Sequence, residues 1–118
     1  MNKALLRNKI EDILISNYKR TNKFSPSYIS DLLNLDLANT IILLENIVES
    51  GLLDKVFIVR CEYCHYNFEY DDYNKIPFGQ YKECGMGHEV YIENDNVQVW
   101  YKPNKDNIKE LKDYKKKH

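Results

Sequence analysis

Residues 61–88 read CEYCHYNFEYDDYNKIPFGQYKECGMGH. Two residues separate Cys61 from Cys64, and three separate Cys84 from His88. A Cys-x-x-Cys turn lets both sulfurs face one point, and a second short turn ending in His can close a tetrahedron around it. Three thiolates and one imidazole form a closed set with no open position, which suits one structural zinc ion per chain. Gly85 and Gly87 give the second turn the backbone freedom it needs. Other readings of the same residues exist. Cys61–His65 also spells the c-type haem attachment motif, with Met86 as a conceivable axial ligand, but that leaves Cys84 and His88 without a role. A disulfide plus a spare thiol is a further alternative. A zinc deaminase needs His-x-Glu ahead of its cysteine pair, and neither His65 nor His88 provides it. His65 could replace His88 as fourth ligand, although it follows Cys64 directly and the geometry there is poor.

Upstream of this stretch the apolar spacing changes to a helical period. Over residues 3–20, Leu6, Ile10, Ile13, Leu14 and Tyr18 share one face. Ser25-Pro26 opens a second helix, with Ser25 as N-cap, Pro26 in the first turn, and Ile29, Leu32 and Leu33 as the apolar face. After the turn at 34–36, Asp36 caps a third helix lined by Leu37, Ile41, Leu44, Ile47 and Val48. Gly51 ends it. Leu52-Leu53 and Val56–Val59 read as strands. Downstream, Glu89–Ile92 and Val97–Tyr101 flank the turn 93–96 and read as a hairpin. Residues 104–117 form a Lys-rich segment that could dock Ile108, Leu111 and Tyr114 as one helix face.

The segment SPSYISDLLNLDLANTIILLENIVESGLL (25–53) resembles a winged helix-turn-helix: a capped helix, a tight turn, a longer second helix, and an ending that leads into a wing. The two knuckles, over about residues 56–102, resemble a zinc ribbon, departing from it in the His ligand and in the long aromatic insert 65–83. Together these resemblances imply an α+β chain. A winged-helix domain (1–60) precedes a small antiparallel zinc-ribbon module (61–103) and a Lys-rich C-terminal helix or tail (104–118).

The whole chain has 118 residues, 43% of them apolar, and a formal net charge of −1. It is sized for one domain or two small modules, and a metal often stabilises such small cores. No global charge draws it to nucleic acid or to a membrane surface. No apolar run approaches the roughly 20 residues needed to span a bilayer, and no signal peptide is evident. The expectation is a cytoplasmic protein in a reducing compartment. No Gly-rich phosphate loop or partnered nucleophile is visible, and Asp71-Asp72 reads as a solvated turn, so an enzyme is not expected.

Charge decides between the functions that the resemblances suggest. A winged helix-turn-helix implies DNA binding, with Asn39 and Thr40 at the start of the recognition helix and Lys19, Arg20, Lys23 and the basic tail on phosphates. Yet residues 36–50 hold Asp36, Glu45 and Glu49 and no Lys or Arg, whereas DNA readers depend on cations. Over residues 61–101, Lys75 and Lys82 stand against eight carboxylates. Tyrosine-rich, cation-poor surfaces suit protein partners. The expectation is therefore a non-catalytic adaptor that docks onto a larger protein, with Tyr73 and Phe78 of the insert as anchors. By analogy with small bacterial proteins of this layout, the setting is a regulatory or phage-defence assembly. The alternative is a DNA-binding transcription regulator. Neither reading calls for a membrane or a small-molecule substrate.

Overall fold

The computed structural model describes residues 2–117; Met1 and His118 lie outside the described residues. The fold is α+β: three N-terminal helices, small antiparallel strand pairs, and one C-terminal helix. No helix among the described residues is long and apolar enough to cross a membrane. The chain forms two compact units, residues 1–54 with 101–118, and residues 55–100. These boundaries differ from the expected divisions after 60 and 103. The Lys-rich segment belongs with the N-terminal helices because Ile108 is fully buried and the Asn107 side chain donates to the carbonyl of Gly51 at 2.7 Å.

In the first unit, α1 (Lys3–Asn17) starts at Asn2, whose side chain accepts the Ala4 N–H at 2.7 Å, and buries Leu6, Ile10 and Leu14. α2 (Pro26–Leu33) has Ser25 at its N-cap position, but the Ser25 hydroxyl pairs with that of Ser27 instead of capping an amide. α2 ends at Asn34, with φ 51°, a left-handed conformation that Asn tolerates better than most residues. α3 (Leu37–Glu49) is capped by Asp36, which accepts from the Asn39 backbone and side chain. Those two bonds, the side-chain one foremost, hold the Asp36 carboxyl below the usual carboxylate range. The chain leaves α3 through Gly51, at φ 88°. The buried face of α3 is Thr40, Leu43, Leu44 and Ile47. Leu37 and Ile41, expected to line the core, are instead 48% and 36% exposed, and Ile42 is 49% exposed. Helix α3 is apolar on more than one side, and the periodicity could not say which side would be covered.

Leu53–Arg60 form one strand, β1, where two shorter ones were expected. β1 pairs antiparallel with β2 (Asn67–Tyr70), with Val59 opposite Phe68 and Phe57 opposite Tyr70. β3 (Tyr81–Glu83) and β4 (Glu89–Tyr91) form a second antiparallel pair, with Tyr81 opposite Tyr91 and Glu83 opposite Glu89. β5 (Val97–Pro103) lies beside β1 in the order β2-β1-β5. The expected hairpin between 89–92 and 97–101 is therefore absent among the described residues. A short 3-10 turn at 94–96, closed by reciprocal bonds between Glu93 and Asn96, redirects the chain. Ile92 instead extends the β3–β4 ladder, exchanging backbone bonds with Gly79 and Gln80.

Within the first unit, Phe24 forms an isolated antiparallel bridge to Tyr101 of β5. α4 (Lys105–Lys117) follows, with Asn104 accepting the Asn107 N–H at its start and Lys115 bridging to Glu11 and Asp12 of α1. Tyr101 is buried, and that burial, with the charge of Glu45, pushes its hydroxyl up to about 12. The core of the second unit is Val59, Cys61, Ile76, Cys84, Val90 and Ile92, with Phe57, Phe68, Tyr70 and Phe78 packed against it. Two of its six central residues are metal-ligand candidates, so the core and the site are one structure.

Candidate metal centre

The β1–β2 ladder ends at Arg60 opposite Asn67, and the Cys61 N–H continues it by donating to the Tyr66 carbonyl at 2.7 Å. Four residues, 62–65, must then reverse the chain. His65 closes the turn by donating to the Cys61 carbonyl, at φ 61°. This left-handed residue lets the loop curl back so that Cys64 faces the same side as Cys61. The second knuckle is built differently. Cys84 and His88 directly continue the register of Glu83 opposite Glu89, and the Cys84 N–H donates to the His88 carbonyl at 2.8 Å. Cross-strand partners project to one face of a hairpin. The three-residue loop 85–87 between them is a turn closed by Gly87 N–H to Cys84 C=O, followed by left-handed Gly87 at φ 85°. That is the commonest three-residue hairpin connection, and it requires such a glycine.

The two knuckles bring one donor atom each from Cys61, Cys64, Cys84 and His88 within 4.8 Å of one another. Cys64 Sγ lies 3.5 Å from Cys84 Sγ, and Cys84 Sγ lies 3.3 Å from His88 Nδ1. A tetrahedral ion with Zn–S bonds of about 2.3 Å sets sulfur–sulfur edges of about 3.8 Å, so the spacing fits one ion with little movement. Cys61 and Cys84 are buried, and Cys64 and His88 are half-buried. All three cysteines are free, so the disulfide alternative is not realised. His65 is exposed and stands outside the donor group, and Met86 is exposed on the second loop.

The sulfurs are not equivalent. Burial opposes ionisation of Cys84, but the amides of Met86 and His88, at 3.4 and 3.3 Å, outweigh it. With help from the Cys64 and His88 side chains they bring its thiol down to about 6. At Cys64 a backbone bond involving Tyr66 favours the thiolate, but desolvation and the neighbouring sulfurs of Cys84 and Cys61 prevail and push the thiol up. The two shifts run in opposite directions, and the Cys64 thiol donates to the Cys84 sulfur. Such amide bonds to a ligand sulfur also tune and orient a bound metal. The Tyr63 ring stacks on His88 with centroids 5.2 Å apart and planes at 29°, fixing the imidazole from the opposite knuckle. The sequence gives no direct signal for that contact, because Tyr63 and His88 meet only once both turns are formed.

Other expected site residues fare differently. Thr40 is fully buried and its hydroxyl donates to the Asp36 carbonyl at 2.8 Å, so it cannot touch DNA. Asn39 is exposed but its side chain is held by Asp36. Lys19 and Arg20 are exposed, Lys19 lying over the Tyr18 ring, and Lys23 is half-buried. Phe78, expected to be an anchor of the insert, is half-buried and packs against the core of the second unit. Tyr73 is 52% exposed and packs its ring near Phe57 and Phe78. No family model matches the chain, and no curated protein or solved structure matches it significantly.

Proposed function

We propose that the chain is a non-catalytic, zinc-stabilised winged-helix adaptor that docks onto a larger protein, in a bacterial regulatory or phage-defence assembly. The winged-helix reading draws on α1–α3, the turn at 34–36, and the bridge from Phe24 to Tyr101 beside the strand that follows α3. Zinc is the ion best suited to a closed Cys₃His set.

The observation that carries the docking reading is the outward surface of α3. In a DNA reader this helix would present cations and polar side chains to the major groove. Here its N-terminal half exposes Leu37, Ala38, Ile41 and Ile42, and its C-terminal half carries Glu45 and Glu49, with no Lys or Arg. Leu32 of α2, 54% exposed, adds to the exposed apolar side chains of this helix pair. Duplex DNA would meet like charge and leave these side chains wet, whereas a protein partner would bury them. Tyr73 is a secondary contact in this reading, with Phe78 supporting it from below.

The test pairs two measurements. Capture from the native host is compared between wild type and a Leu37→Ser/Ile41→Ser/Ile42→Ser variant, and loss of a defined partner at unchanged zinc content is expected. Binding to duplex DNA should be weak at about 150 mM salt and should fade further with Lys109→Gln/Lys116→Gln/Lys117→Gln. A sequence-selective complex that is indifferent to those lysines would overturn the adaptor reading in favour of the DNA-binding regulator.

A further inference from the structure

The second unit contains a cleft of about 700 Å³, lined wholly by its own residues. Part of its lining follows from the β3–β4 register, which puts Tyr81, Tyr91 and Glu89 on one face of this hairpin, while Val90 and Cys84 are buried. The Tyr81 and Tyr91 rings lie 5.0 Å apart. Tyr63 and Glu62, from the first knuckle, form a second wall, and Asp95 stands on the 3-10 turn before β5.

The charge in this cleft is unbalanced. Glu62, Glu89, Glu93 and Asp95 face a single permanent cation, Arg60, whose Nε is already directed to Asn67 Oδ1 at 3.4 Å. Glu93 is engaged with Asn96, but the side-chain carboxylates of Glu62, Glu89 and Asp95 meet no hydrogen-bond donor or cation among the described residues. A metal held by three thiolates and a neutral imidazole would add one more negative charge. These carboxylates do not gather around a point: among the described residues only the Cys₃His group brings its donors close enough for one ion. Dispersed carboxylates with exposed aromatic faces between them suit an extended ligand bearing several cations. Guanidinium groups stack on tyrosine and take carboxylates bidentately, which an ammonium cannot do. Phosphate backbones are repelled.

We infer that this cleft binds an extended, arginine-bearing segment of a partner protein. The inference rests on the adaptor reading and gives that partner a chemistry, but it involves other residues than the exposed ones of α3.

The probe is a fluorescein-labelled octapeptide of alternating Arg and Ser, which places every guanidinium on one side of an extended chain. It is titrated into zinc-loaded protein, beside Lys-Ser and Glu-Ser counterparts. The Arg peptide should bind best, the Glu peptide not at all, and binding should weaken as salt rises. Glu62→Gln/Glu89→Gln/Asp95→Asn, all exposed and near-isosteric changes, should weaken it about tenfold by removing three exposed charge pairs. An equal charge change at residues that do not line the cleft, Asp31→Asn/Glu110→Gln/Asp113→Asn, should alter it by less than about twofold, because exposed charges that make no contact with the ligand are screened. Tyr91→Leu should reduce the preference for Arg over Lys. Zinc content checks that each variant is folded. Absence of binding, or equal weakening by the two triple variants, would overturn the inference. If the α3 variant loses its partner while the Arg peptide fails to bind, the cleft inference falls and the adaptor reading stands. If the peptide binds but the α3 variant captures normally, the helix surface was the wrong choice.

Discussion

Two histidines compete for one role, and backbone geometry separates them. His65 occupies the left-handed position that closes the first knuckle, and its imidazole is exposed. His88 stands opposite Cys84 on a hairpin, with Nδ1 turned to the Cys84 sulfur and Tyr63 stacked on the ring. His88→Ala should therefore lower zinc affinity by more than about 100-fold, since losing only a group that orients a ligand already costs about 10–100-fold. His65→Ala should leave zinc content unchanged and cost only turn stability, which His65→Gly should restore or improve. Tyr63→Ala keeps all four ligands and should weaken zinc by about tenfold. Competition with a chromophoric chelator ranks the four proteins. Full occupancy in His88→Ala would assign the fourth ligand wrongly.

At the scale of elements, the ligand set and the helices were legible in the sequence because their signals are local. Cys spacing, the Asp36 cap and the Gly51 stop each act within a few residues. What was not legible depends on long-range partners. Val97–Tyr101 has the same alternation whether it pairs with Glu89–Ile92 or with β1, and only the Glu93–Asn96 turn decides it. Likewise Leu37 and Ile41 have core-like spacing with Leu44 and Ile47, yet Thr40 and Leu43 joined those two on the buried side instead. Pro77 and Gly79 mark a bend without saying which way Phe78 faces. The stop at Gly51 carries its own prediction. Its φ of 88° disfavours any Cβ, and an added Cβ would stand 3.2 Å from Asn107 Nδ2, the group that satisfies the Gly51 carbonyl. Gly51→Ala should cost about 1–2 kcal/mol from the left-handed backbone alone. Asn104→Ala, which removes the acceptor at the start of α4, should cost about 1 kcal/mol. Denaturant titration followed by helical signal reads both, and a Gly51→Ala protein as stable as wild type would mean the turn adopts another conformation.

The whole molecule distributes its spectroscopic groups unevenly, and this makes the role of the metal separable. All four α-helices belong to the unit of residues 1–54 and 101–118, whose core of Ile10, Ile29, Leu44, Ile47 and Ile108 contains no ligand. Trp100 and six tyrosines belong to residues 55–100, where Cys61 and Cys84 are themselves core residues. That unit has short strands, such as β2 with four residues and β3 and β4 with three each, and a small apolar cluster, too little for independent stability without a staple. The affinity of a metal held by its Cys₃His group would be folding free energy. Chelation should accordingly abolish most near-ultraviolet dichroism from Trp100 and the tyrosines of the second unit, while far-ultraviolet helical dichroism largely persists. Re-addition of zinc should restore the aromatic signal at one equivalent per chain. Loss of both signals together on chelation would mean that the helical unit cannot stand without the metal. Retention of both would mean that apolar packing around Val59, Ile76 and Ile92 suffices, and the ion would then serve to hold the Tyr63 wall of the acidic cleft in place, not to fold the unit.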